Sequence, residues 1–282
     1  MMVFLPPRNV SVPIPLFIPN ILCYIRIILS FLSIITAVYV NTTARPLLYI
    51  FTTSSFWVLA SFLDYIDGKI ARSLNQCSEL GALLDIIADN ILRGSSWMCV
   101  VIASLLSSSS GNCNKEPMDK SNDGNEIINH YYTFFPILGI ILISVEWFTM
   151  LSTQILKLKE NKDHWKDVGQ SDGGNDDEFD NDNSNSDGKF PEATPPWFVQ
   201  KVFANNFCNI LGVLAMYGLF SCGMITFLHI HRDMILEALP ILRVPLNISL
   251  CMAYIGRGLA LSTEMWLCFN YIRLTIKIDC LH

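Results

Sequence analysis

Six long apolar stretches, separated by short polar segments, dominate the chain. They cover about residues 21–40, 47–63, 90–107, 133–156, 203–230 and 247–273. Each is close to the roughly 20 residues that an α-helix needs to cross a bilayer. Because backbone polar groups must be satisfied internally within lipid, we expect each stretch to be a transmembrane helix. The pattern predicts an all-α integral membrane protein.

The composition agrees with a membrane protein. Of the 282 residues, 51% are hydrophobic and only 16% are charged, and the mean hydropathy is +0.39. These values are too apolar for an ordinary soluble domain. We expect the lipid bilayer as a partner, and we expect no nucleic acid.

The acidic residues are concentrated in one polar segment, at about 159–196. Residues 160–192 hold 11 Asp or Glu against three Lys, which leaves the rest of the chain slightly basic although the net charge is −6. The segment has few large apolar residues and no periodicity, so it is predicted to be disordered. We therefore expect one membrane-embedded domain over residues 1–282, interrupted by this acidic insert.

Four aspartates lie where the second and third apolar stretches meet: Asp64, Asp67, Asp85 and Asp89. Carboxylates at membrane depth are costly unless they have a cation or a polar cavity, so the segment is the default functional site. Spacings of three and four residues place each pair on one face of its helix. Facing pairs of oxygen donors suit hard cations such as Mg²⁺ or Mn²⁺. The spacing groups the carboxylates but does not rank their roles.

Basic residues predict the orientation of the chain. If successive loops alternate across the bilayer, nine Lys and Arg fall on one side and four on the other. The more basic side is expected to face the cytosol. This places both termini, the acidic insert and the aspartates at the cytosolic face.

Small residues and one arginine complete the pattern D-x2-D-G-x2-A-R-x8-G-x3-D-x3-D, through Gly68, Ala71, Arg72 and Gly81. This pattern resembles the signature of the CDP-alcohol phosphatidyltransferases, and every signature position is filled. Members of that family replace the CMP of a CDP-linked lipid or alcohol with a second alcohol. The resemblance implies a helical bundle of that family's type, a homodimer, a site for two Mg²⁺ or Mn²⁺ ions, and CDP-diacylglycerol as the donor.

The resemblance also implies a role for each signature residue. Asp64, Asp67 and Asp85 would bind the metal ions, and Asp89 would be the general base and a shared metal ligand. The residues that would line the CDP-lipid site are Gly68, Ala71, Arg72 and Gly81.

Within the family, residues 15–100 most resemble the branch that makes phosphatidylinositol in the endoplasmic reticulum membrane of eukaryotes, so myo-inositol is the favoured acceptor. Candidates for acceptor or headgroup contacts are Asn20, Arg26 and Glu146. Asn20 is also expected to cap the first helix, and Arg26 could equally be an arginine that snorkels to the interface. Arg93 lies four residues after Asp89 and could pair with it, which would keep that carboxylate ionised.

Other interpretations stay open because the later spans depart from that branch. The stretch at Glu146 lacks the expected His, and the segment before the fifth span lacks the expected arginines. A sister transferase that uses glycerol phosphate, serine, choline or ethanolamine remains an alternative, as does a non-catalytic membrane relative. Arg257 and Glu264 are seven residues apart on one helix face and are expected to pair with each other.

Overall fold

A computed structural model describes residues 13–74, 76–111, 122–160 and 195–279. Within these ranges the chain forms eight α-helices and no strand: α1 Ile18–Val40, α2 Pro46–Ser73, α3 Glu79–Gly111, α4 Asn122–Glu160, α5 Trp197–Phe203, α6 Ile210–Ile230, α7 Arg232–Ala238 and α8 Arg243–Asp279. Residues 161–194, which make up almost all of the predicted acidic insert, lie outside the described residues.

Six helices are long and apolar enough to cross a membrane, which confirms the prediction of a multi-pass all-α protein. They provide the candidate spans Ile18–Val40, Pro46–Ser73, Glu79–Ser107, Phe134–Ile155, Ile210–Ile230 and Pro240–Arg273. The second and third spans extend well beyond their apolar stretches, so the aspartates lie inside continuous helices. The apolar stretch alone underestimates the length of such a helix, because polar residues continue the same backbone hydrogen bonding beyond it.

The first helix begins two residues earlier than the predicted cap. Phe17 is the residue before the helix, and Asn20 lies inside its first turn. Pro19 explains the difference, because its fixed φ and missing N–H suit the first turn of a helix. The side-chain amide of Asn20 instead donates to the backbone oxygen of Ile14 at 2.7 Å. The capping prediction is therefore wrong.

The first helix packs along both α2 and α3. Leu29, Ala60 and Leu92, one from each helix, form a buried cluster between them. At the start of α1, the backbone N–H of Ile18 donates to Oε1 of Gln76 in the α2–α3 connection at 3.1 Å. The beginning of α1, the end of α2 and the beginning of α3 therefore meet at one end of this helix group, which is the end that carries the aspartates.

Glycine allows α3 to approach α1 closely at this end. A Cβ added to Gly81 would lie 2.8 Å from Oδ1 of the fully buried Asn20 and 3.1 Å from Oγ of Ser78. The same Ser78 hydroxyl accepts a hydrogen bond from the Gly81 N–H at 3.0 Å, which satisfies a free donor at the start of α3. Gly81 is therefore required by packing as well as by the signature pattern.

The chain divides into two compact units, Met1–Glu146 with Phe220–Ala253, and Trp147–Leu219 with Tyr254–His282. In the second unit, Val199 and Phe203 of α5 pack against Leu267 of α8. The expectation of a single domain over the whole chain stays a prediction.

Two glycines bring α6 and α8 into backbone contact within the second unit. A Cβ on Gly256 would lie 2.9 Å from the Gly218 nitrogen and would overlap the Leu214 oxygen. Such close approach through small residues is a common way for helices to associate in membranes.

We predict that Gly256→Ala lowers the free energy of unfolding by about 1–3 kcal/mol, because the added methyl overpacks this crossing. Gly258→Ala is the matched control on the same helix, since a Cβ there meets no atom within 4 Å. The control should be neutral or gain about 0.5–1 kcal/mol from helix propensity. Thermal unfolding in detergent measures both, and equal effects would contradict the predicted close crossing.

We also predict that Gly81→Ala destabilises the first unit, by about 1–3 kcal/mol, because Asn20 must move to admit the methyl group. Gly94→Ala, on the same helix and with no atom within 4 Å of the new Cβ, is its control. The same unfolding assay applies. Loss of stability in the Gly94 variant but not in the Gly81 variant would show that α1 and α3 pack differently.

Candidate active site

The aspartates of α2 and α3 converge on one arginine of α1. Nη1 of Arg26 lies 2.9 Å from Oδ2 of Asp67 and 2.7 Å from Oδ1 of Asp85. Nη2 lies 2.7 Å from Oδ1 of Asp64 and also contacts Oδ1 of Asp89. We refer to these four aspartates as the carboxylate cluster. The predicted facing pairs are thus brought together, with a guanidinium between them.

Arg26 is fully buried. A snorkelling arginine keeps its charged group in water, so that interpretation of Arg26 is wrong. The position of α1 between α2 and α3 explains the burial, because it directs the side chain between the two pairs of carboxylates. The sequence pattern could not reveal this contact, since nothing in the spacing of α2 and α3 indicates which face of α1 lies against them.

The carboxylate cluster is open on one side. The side chains of Asp64 and Asp85 are 37% and 47% exposed, whereas that of Asp67 is only 8% exposed. Asp89 lies between these extremes at 23%. A solute can therefore reach the cluster past Asp64 and Asp85, while Asp67 forms its closed end.

The donor atoms fit a divalent metal ion. Ligand atoms of Asp64, Asp85 and Asp89 lie within 4.8 Å of one another, as do those of Cys23, Asp67 and Asp85. Carboxylate oxygens are the donors that Mg²⁺ and Mn²⁺ prefer. The acidic cluster could therefore bind a metal ion.

Cys23 also belongs to this site, although no sequence pattern indicated it. It is buried on α1, and its Sγ lies 3.7 Å from Oδ2 of Asp67. A single cysteine in an apolar stretch is usually a small buried hydrophobe, so its proximity to the carboxylates carries no sequence signal.

The remaining signature residues surround the junction of α2 and α3. The exposed Arg72 folds back along α2, with Nη1 3.6 Å from the place of a Cβ on Gly68. The backbone oxygen of Ala71 accepts a hydrogen bond from the N–H of Gln76 at 2.9 Å, which shapes the turn between the helices. Arg72 therefore lies at the surface beside Gly68, the residue that follows Asp67 of the carboxylate cluster.

Arg93 pairs with Glu146 rather than with Asp89. Its Nε lies 3.5 Å from Oε2 of Glu146, and its Nη2 donates to Oδ1 of Asn90 at 2.5 Å. Its guanidinium also lies over the ring of Phe220, 5.1 Å from the centroid. Among the described residues the direct contact of Arg93 is therefore with α4, and its charge acts on Asp89 without an ion pair within contact distance. Glu146, a candidate acceptor contact, is thus a buried partner of Arg93.

The expected pair in the second unit is confirmed. Nη1 of Arg257 donates to Oε2 of Glu264 at 2.8 Å, and both residues are buried. Pairing within one helix face reduces the cost of placing two charges in an apolar span.

Comparison with known proteins finds similarity over the first three helices. Residues 16–114 match the family model of the CDP-alcohol phosphatidyltransferases. The human CDP-diacylglycerol–inositol 3-phosphatidyltransferase is 37% identical over 87 residues, which cover 31% of this chain and 35% of the human protein. A probable enzyme of the same name from Arabidopsis thaliana is 32% identical over 95 residues, 34% of this chain and 36% of the relative.

A relative with a different acceptor also matches. The CDP-diacylglycerol–glycerol-3-phosphate 3-phosphatidyltransferase of Rickettsia bellii is 38% identical over 85 residues, 30% of this chain and 42% of the relative. The chain thus spans about a third of the length of the first curated relatives it matches. No solved structure matches the chain significantly. Residues 16–114, which carry α1 to α3 and the whole carboxylate cluster, are therefore the part of the chain that is similar to the CDP-alcohol phosphatidyltransferases.

Proposed function

We propose that this chain transfers the phosphatidyl group of CDP-diacylglycerol to an alcohol, with release of CMP, and that the acceptor is myo-inositol. The observation that carries the proposal is the convergence of Asp64, Asp67, Asp85 and Asp89 in one partly open cluster. The inositol-using relatives from human and Arabidopsis thaliana support the choice of acceptor.

The carboxylate cluster would hold Mg²⁺ or Mn²⁺ in this proposal. Two such ions would neutralise the diphosphate and stabilise the attacking and leaving oxygens. The metal ligands would be Asp64, Asp67 and Asp85. Asp89 would be both a ligand shared by the metal ions and the general base. The exposed sides of Asp64 and Asp85 would give the donor access to the cluster.

Asp89 would accept the proton of the acceptor hydroxyl. The oxygen would attack the phosphorus that carries the diacylglycerol, a new P–O bond would form, and the bond to the CMP oxygen would break. CMP would leave with the electron pair, and the phosphorus would keep its four oxygens. A base in reach of the hydroxyl contributes on the order of 10²–10⁴ in rate.

The surface beside the cluster would bind the CDP part of the donor. The guanidinium of Arg72 can pair with phosphate oxygens through two parallel hydrogen bonds. Gly68, Ala71 and Gly81 would let the nucleotide approach the helix backbones. Next to Gly68 there is open space, because the nearest atoms to the place of a Cβ there belong to the Arg72 side chain, at 3.6–4.0 Å.

On the acceptor side, we propose contacts from Asn20, Arg26 and Glu146. Oδ1 of Asn20 is buried without a hydrogen-bond partner, so it retains an acceptor for a substrate hydroxyl. A second candidate function is transfer to glycerol 3-phosphate, which the relative from Rickettsia bellii favours.

We further propose a homodimer in the endoplasmic reticulum membrane, with the carboxylate cluster at the cytosolic face. The inositol-using eukaryotic relatives support the compartment, and the excess of basic residues on that side of the chain supports the orientation.

The test is CMP release from CDP-diacylglycerol by the purified protein, with Mn²⁺ or Mg²⁺, across a panel of acceptors. We expect release that depends on myo-inositol and falls by about 10²-fold or more in Asp89→Asn, because the base is lost. Asp233→Asn is the matched control, since this aspartate is 93% exposed and outside the site. It should keep full activity.

Two other results of the CMP-release assay would change the proposal. Release with glycerol 3-phosphate alone would retain the mechanism and replace the acceptor. Absence of release with every acceptor, from protein shown to be folded, would contradict the proposed transferase activity.

A further inference from the structure

We propose that Arg26 is a built-in counter-cation of the carboxylate cluster, which binds divalent cations only by exchange with this guanidinium. Arg26 would be a positioning residue that keeps the four aspartates together before the metal ion arrives. The exchange step rests on the proposed function, because it requires that the cluster binds a metal ion.

The guanidinium of Arg26 and a divalent cation would compete for the same carboxylate oxygens. The two terminal nitrogens of Arg26 contact one oxygen from each of Asp64, Asp67, Asp85 and Asp89. The same aspartates supply all three donor groups of one candidate metal site and two of the three in the other, where Cys23 is the third. A divalent cation at the centre of these groups would lie beside the guanidinium, and two positive groups at such a distance repel each other.

The single positive charge of Arg26 does not balance the negative charges of the carboxylate cluster. One guanidinium faces four carboxylates, which leaves three negative charges unbalanced among these five groups if all are ionised. Buried carboxylates that lack a counter-charge destabilise a fold, so Arg26 should contribute strongly to the stability of the metal-free protein. A divalent ion brings more charge and should displace it.

The arginine itself does not fit the cluster completely. Its Nε is buried without a hydrogen-bond partner although both terminal nitrogens are bonded. An unsatisfied buried donor weakens the bound state of the guanidinium. Incomplete bonding is what an exchangeable occupant requires.

The arrangement also gives the two cations separate sides. Arg26 is fully buried and reaches the cluster from α1, whereas Asp64 and Asp85 open to solvent. A metal ion can therefore reach the cluster from the side opposite the arginine.

The experiment compares wild type with Arg26→Met, which keeps an unbranched flexible side chain and removes the charge, and with Arg26→Lys, which keeps the charge and removes the planar fork. Arg243→Met is the control, because Arg243 is exposed at the start of α8. Two quantities are measured on the purified full chain: the unfolding temperature in EDTA, and Mn²⁺ affinity from the electron paramagnetic resonance signal of free Mn²⁺.

We expect Arg26→Met to unfold at a lower temperature in EDTA, to recover in Mn²⁺, and to bind Mn²⁺ at least tenfold more tightly than wild type. Arg26→Lys should fold without metal and show a smaller gain in affinity, and the control should match wild type. If Arg26→Met folds only with Mn²⁺ present, that dependence supports the counter-cation role. Adding Asp85→Asn to Arg26→Met should restore part of the stability in EDTA, because one unpaired charge is removed.

Equal or weaker Mn²⁺ binding in both Arg26 variants would overturn the exchange, and would leave the proposed transferase activity standing if CMP release persists in wild type. Absence of Mn²⁺ binding in wild type and in both Arg26 variants would overturn the exchange together with the metal-dependent mechanism. Unchanged stability of Arg26→Met in EDTA would overturn the counter-cation role whatever the metal affinity.

Discussion

The organisation of the first three helices depends on one electrostatic constraint. Four carboxylates lie together between long apolar helices, where a positive charge among them reduces their mutual repulsion. Arg26 supplies that charge from α1 in this structure. Because α1 lies along both α2 and α3, it directs this basic side chain between the two pairs of carboxylates.

Close helix packing supports the same site. Gly81 lets α3 approach Asn20 on α1, and Gln76 holds the start of α1 against the α2–α3 connection. The helices that carry the carboxylates are therefore fixed at one end by contacts between small or polar residues. Side chains on rigid helices are held more accurately than side chains on loops, and the proposed phosphatidyl transfer requires such accurate positioning.

The sequence predicted the fold class, the six spans and the residues of the carboxylate cluster, because hydrophobic length and helical spacing are local properties. It did not predict contacts that depend on how helices face each other. The burial of Arg26, the proximity of Cys23 and the pair of Arg93 with Glu146 all belong to this class. The capping prediction for Asn20 failed for a local reason, because the helix begins at Ile18 with Pro19 in its first turn.

The central claim is that the carboxylate cluster binds divalent cations. The most direct test counts Mn²⁺ ions bound per chain by the purified protein, in wild type and in a variant with both Asp64→Asn and Asp85→Asn, which removes the two most exposed ligands. The account predicts that wild type binds Mn²⁺ and that the double variant loses this binding while remaining folded. Equal numbers of bound ions in the two proteins would contradict it.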